Sequence, residues 1–265
     1  MKSIKLLGIF LLITASLLNT SCSKKEADNH PNAPQLPPKA SFIMDYSFSK
    51  ADTAHAKGYA HFGYSAINVL FWNVVLTGNL AIPVAAFSES FNHEPEYIGN
   101  LEWVWSYDVT VINQVYHANL HGTLVGTDVE WKMYLSKEGA YTDFLWYEGV
   151  MDSTYQEAEW LIYQSPEEPA LFLTVNYLND LENGEQSIRY TKAEEIITEE
   201  SYIEHGNRVD VDMDRYYTIY LQDGDKLTEI EWNYAAGNGH VRDEVHFGDQ
   251  EWHCWDEQRR DIECP

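Results

Sequence analysis

The sequence predicts a mainly β protein of the α+β class, an antiparallel β-meander forming a curved sheet or incomplete barrel with N-terminal helices packed in its concave face. Three observations lead there. After Leu101 apolar and polar residues alternate over most of the chain, turn-forming clusters punctuate that alternation about every ten residues, and a long, nearly charge-free apolar run precedes it.

The helical part is expected over about residues 50–93. Asp52 offers an N-cap, and "YSAINVLFWNVVL" from Tyr64 to Leu76 is apolar nearly all round a helical projection, interrupted by Ser65, Asn68 and Asn73. A helix of that kind has to be buried. Gly78 and Pro83 predict that it ends near Gly78 and that a shorter helix follows. The same two residues, with Asn68, Asn73 and Asn79, argue against a bilayer span.

Strands are expected from about residue 100 to 250. Leu101, Trp103, Trp105, Tyr107, Val109 and Val111 face away from Glu102, Ser106, Asp108 and Thr110. The period recurs at Val129, Trp131, Met133 and Leu135, and from Val209 through Met213 to Leu221. Further strands are read near 142–149, 158–163, 170–178, 187–191, 227–234 and 240–247, with "SKEGAY", "QSPEEP", "NDLENGE", "QDGDK" and "AAGNGH" as turns. The total is nine to eleven strands joined by short, and therefore antiparallel, connections. So long a meander must curl or split, and its hollow is the natural cover for the apolar helix. In architecture alone this resembles the half-barrel carriers that move lipids or lipoproteins between bacterial membranes; a two-sheet sandwich is the alternative.

Residues 1–21 read as an export signal: Lys2 and Lys5, an apolar run from Leu6 to Leu18, then small polar residues. Ending at Cys22, the segment resembles the lipobox signal of bacterial lipoproteins, although Asn19 stands where that family has an aliphatic residue. The resemblance implies that Cys22 takes a diacylglycerol and becomes the mature N-terminus. Ser23, rather than Asp, implies sorting to the outer membrane. The membrane is then a partner through this N-terminal lipid. Residues 22–41 form the lipidated cysteine and a flexible, proline-rich tether, and 42–265 a single β-rich domain. With Cys22 acylated in an oxidising compartment, Cys254 and Cys264 are left to each other, and a disulfide closing the C-terminus is expected. Zinc held with His253 is the rival use, but no CxxC pair supports it.

The formal net charge of −25 excludes a nucleic-acid groove, which needs the opposite field. No GxSxG elbow or phosphate-cradling glycine loop is present, so neither catalytic nor metal residues are assigned and no cofactor is expected. His117 and His121 have a chelating spacing only on a helix, whereas they fall in a strand. Asp210, Asp212 and Asp214 resemble the start of a calcium loop, but Arg215 and Leu221 stand where Gly and Glu are needed. The densest titratable group is His240, Asp243, Glu244, His246 and His253. Trp103, Trp105 and Trp131 are assigned to the core. Tyr134, Tyr147 and Tyr163 are assigned outward, where a row of rings would stack on sugars. The expected function is a non-catalytic envelope lipoprotein, a binding or scaffold module for an amphiphile. Glycan binding through exposed Trp and Tyr is the alternative, and hydrolysis the second.

Overall fold

The architecture is seen in a computed structural model that describes residues 30–45, 60–193 and 201–265. The signal, Cys22, the tether up to residue 29 and Asp52 lie outside those residues. Among the described residues, fourteen strands form one antiparallel sheet in sequence order. They are β1 (Glu96–Gly99), β2 (Glu102–Val111), β3 (Gln114–Val125), β4 (Asp128–Lys137), β5 (Tyr141–Met151), β6 (Glu157–Tyr163) and β7 (Leu171–Asp180). There follow β8 (Glu185–Lys192), β9 (Tyr202–Asn207), β10 (Arg215–Leu221), β11 (Lys226–Trp232), β12 (Gly239–Arg242), β13 (His253–Trp255) and β14 (Asp261–Ile262). The sheet thus exceeds the expected nine to eleven strands: β1, β13 and β14 are too brief for alternation to register, and β9 lies in a stretch where no strand was expected.

The helical region is one helix, α1 (Ala60–Ser90), not two. It runs through Gly78 and Pro83 because its polar residues satisfy themselves on the helix. Asn68 donates to the Tyr64 carbonyl at 2.9 Å, Asn79 to Val75 at 2.7 Å and Thr77 to Asn73 Oδ1 at 2.9 Å. Leu76, Leu80, Pro83, Ala86 and Phe87 are meanwhile buried along one side. Packing outweighs propensity here. The length and composition of α1 would suit a membrane span, but both its ends are docked on the sheet. The N-terminal end meets β12, β13 and β14, and the C-terminal end meets β2 and β3.

That docking measures the curl. Eleven strand spacings separate β2 from β13, over 50 Å in a flat sheet at ~4.8 Å each. From His61, at β13, to Phe87 the helix covers only about 39 Å at ~1.5 Å per residue. The sheet therefore bends until one helix bridges its two ends. Within residues 32–265, which form one compact unit, the inward side chains make a single core cluster. The chain already packs on it at Ala33 and Leu36, so the folded unit starts about ten residues before the expected boundary at 42.

Two local readings are corrected. Residues 208–214 are an irregular loop between β9 and β10, and Val209 and Val211 are exposed. Residues 244–247 are a short helix, α2 (Glu244–Phe247), capped by the Asp243 side chain.

Candidate functional site

The inner face of β2 to β6 carries a row of alternating tryptophan and glycine. Trp103 pairs with Gly122, Gly122 with Trp131, Trp131 with Gly149 and Gly149 with Trp160. The rings lie across the glycines: a Cβ built on Gly149 would collide with the Trp160 ring, and would reach the Glu159 carbonyl at 2.5 Å. At the far end Gly239 sits between Trp232 and Trp255 in the same way. Broad rings over bare backbone let the strands bend inward without leaving voids.

Phe42 is inserted into this hollow. Its ring lies 4.8 Å from Phe87 of α1, 4.7 Å from Tyr147 of β5 and 5.3 Å from Trp160 of β6, centroid to centroid. The segment carrying it is held mainly by its backbone. Tyr190 OH donates to the Phe42 carbonyl at 2.6 Å and accepts from Met44 N at 3.1 Å, and Tyr217 OH donates to the Asp45 carbonyl at 2.6 Å. The hollow thus grips an extended chain with an apolar ring through phenol hydroxyls. Burial pushes the Tyr147, Tyr190 and Tyr217 phenols far above their ordinary value, so all three stay neutral donors.

Around Phe42 the polar satisfaction is incomplete. Tyr147 OH, Trp160 Nε1 and Trp131 Nε1 are buried without a hydrogen-bond partner, and so are Tyr141 OH and Trp146 Nε1 on the same strand as Tyr147. An unmade hydrogen bond in apolar surroundings costs roughly 1–3 kcal/mol, and native interiors carry few. Tyr147 was expected to face outward; a bulge of β5 at Trp146, opposite Met133 and Tyr134 of β4, turns it in. What the arrangement offers chemically is an aromatic slot with three hydrogen-bond donors and no charge.

The C-terminal titratable group has another role. Asp243 is fully buried and accepts from Tyr64 OH and Thr228 Oγ1, both at 2.5 Å, and from His246 N at 2.9 Å, with Lys226 Nζ at 3.5 Å. Burial would raise its pKa, yet these hydrogen bonds hold it below the usual carboxylate range. It ties α1, β11 and α2 together, and its oxygens are spent on scaffold groups. The histidines go elsewhere: His240 to Glu231 at 3.0 Å, His253 to Asp249 at 3.0 Å, and His246 stacks on Tyr64 at 3.7 Å. Glu244 is exposed.

The expected disulfide Cys254–Cys264 is formed, with Cα atoms 5.2 Å apart. Inside the loop it closes, Asp261 accepts from Ala60 N and His61 N, each at 3.0 Å, so the stapled tail caps α1. Neither Asp261 nor Phe42 was singled out from sequence, because each acts across more than a hundred residues.

On the outer face, His117 pairs with Asp108 at 3.0 Å and His121 with Glu102 at 2.6 Å, and the two imidazoles share no partner. Asp210 and Asp212 lie in the exposed β9–β10 loop, while Asp214 accepts from Tyr234 N at 2.8 Å. Among the described residues no three His, Cys, Asp or Glu side chains are grouped to hold a metal ion. The outer aromatics are covered: Arg189 lies 4.3 Å over Tyr202, Arg208 4.6 Å over Tyr216, Arg215 5.2 Å over Tyr234 and Arg242 4.6 Å over Trp252. Tyr163 donates to Glu148 at 2.7 Å, and Tyr134 is half-buried at the rim of a shallow groove with Lys132 and Glu130.

With this geometry in view, known proteins offer no guide. No family model, curated protein or solved structure matches the chain.

Proposed function

We propose that this chain is a non-catalytic, lipid-anchored envelope protein that binds an amphiphile in the aromatic hollow between α1 and the sheet. The anchor is the diacylglycerol on Cys22, and the location is the outer membrane, as the lipobox-like signal implies. The observation that carries the binding role is that the donors of Tyr147 and Trp160, both against the Phe42 ring, are buried and unpaired, as is that of Trp131, across Gly149 from Trp160. An acyl chain entering beside or in place of Phe42 has the shape and polarity of what is already there. An ester carbonyl or hydroxyl at its head would accept from the unpaired donors and relieve their desolvation. Both sides of α1 are apolar, which suits a cover that parts to admit a hydrocarbon chain.

Native mass spectrometry of the full chain purified from its own membranes tests this. The expected spectrum carries a diacylglyceryl adduct at Cys22 and a further amphiphile that solvent extraction removes. A bare polypeptide mass would contradict both parts. The guanidinium-covered outer rings leave glycan stacking without support from the geometry, and polysaccharides are expected not to retard the protein in a native gel.

A further inference from the structure

Between its two docked ends, α1 turns a bare apolar stripe outward. Ile67, Leu70, Phe71 and Val74 follow the i, i+3, i+4, i+7 pattern of one helix face and are 57–68 % exposed. The opposite side of the same stretch, Ser65, Val69 and Leu76, is buried against the sheet. From Ala60 to Ser90 the only Asp, Glu, Lys or Arg is Glu89, in a chain that carries 42 acids and 17 bases. The stripe is thus a neutral window in a strongly acidic molecule.

We infer that this stripe lies in the headgroup–acyl boundary of a lipid bilayer, a second membrane contact that orients the domain with α1 against the membrane. The inference rests on the anchor reading for its geometry: ten residues of chain, at most ~35 Å, separate Cys22 from Asn32. A domain held that close meets the bilayer at high effective concentration, and only its uncharged face approaches without repulsion from anionic lipid. The stripe spans two helical turns, enough to enter the interface and far too short to cross it. A second copy of the chain is the competing occupant. Four partly exposed side chains offer on the order of 500 Å², against ~800 Å² per partner in a stable dimer.

The test uses the full chain with an environment-sensitive fluorophore on Leu70→Cys, and a control label on Ile112→Cys, in the β2–β3 turn. On adding vesicles of phosphatidylethanolamine with phosphatidylglycerol, the label at 70 is expected to shift to the blue and the label at 112 to stay unchanged. Flotation of the same samples reports the anchor separately. In the unacylated Cys22→Ala chain, residual flotation is expected to fall at least tenfold in Leu70→Asp/Phe71→Asp. A label at 70 that stays aqueous on vesicle-bound protein overturns the inference while leaving the anchor standing. A blue shift that follows protein concentration without lipid also overturns it, in favour of self-association. A chain that is not acylated removes the anchor, and the blue shift at 70 on added vesicles then decides the stripe alone.

Discussion

Gly122, Gly149 and Gly239 each lie between two tryptophans on neighbouring strands, and the fits at Gly149 and Gly239 are tighter than that at Gly122. A methyl group at Gly149 meets both the Trp160 ring and the Glu159 carbonyl. Gly149→Ala is therefore expected to lower unfolding stability by about 2–3 kcal/mol, read from the urea midpoint. The opposite sign is expected at Ile112. It sits 82 % exposed in the β2–β3 hairpin with φ 47°, a left-handed conformation hostile to a β-branched side chain, and Asn113 beside it has φ 60°. Ile112→Asn should raise the same midpoint by the equivalent of about 1 kcal/mol. Residues of this kind divide by legibility. That Trp103, Trp105 and Trp131 face inward follows from the period of two. Their glycine partners do not, because register across strands is set by turns, and a turn containing Ile112 carries no turn signature.

The element that most constrains the molecule is α1, and its N-terminal end depends on the C-terminal tail. It has no acid in its own first turn, and Asp261 supplies the capping carboxylate from inside the Cys254–Cys264 loop. Asp261→Asn should cost about 1 kcal/mol. Reducing the disulfide should cost roughly 2–3 kcal/mol and speed amide exchange over residues 60–69 before the β4–β6 core responds, a difference hydrogen exchange resolves. The sequence announced an apolar helix against the sheet but misplaced its end, and its expected burial holds on one side only, since Ile67, Leu70, Phe71 and Val74 are exposed. Gly78 and Pro83 are breakers by propensity, whereas the docking of Leu76, Leu80 and Phe87 and the self-satisfied Asn side chains keep the helix intact. The disulfide was legible from compartment and arithmetic. The Asp261 cap was not, since nothing local links residues 60 and 261.

At the scale of the whole molecule, the curled meander and its bridging helix follow from patterning, but the content of the hollow does not. Phe42 was placed at a domain boundary and Tyr147 on the outside, and only the bend of the sheet brings them to within 4.7 Å. The fold also sets an acid limit. His205 is half-buried and stacks on Tyr217 and Trp232, and desolvation holds its pKa below the ordinary value of 6.5. Its contribution is complete above pH 6.5 and is lost as pH falls through the depressed folded pKa, because the unfolded chain takes the proton more readily. Glu231, held down to about 2 by its hydrogen bond to His240 and by Arg208, contributes above its ordinary 4.5 and loses that as pH falls toward 2. The urea midpoint should decline in two stages, and Glu231→Gln should shrink the lower one, which Asp243 shares.

The claim that the hollow receives a hydrocarbon chain is tested most directly by titrating the delipidated full chain with a fatty acid carrying a nitroxide in its tail and following tryptophan emission. Binding beside Trp160 and Trp131 predicts quenching that saturates at one equivalent and is reversed by an unlabelled lipid. Quenching that rises linearly without saturation, or none at all, would contradict it.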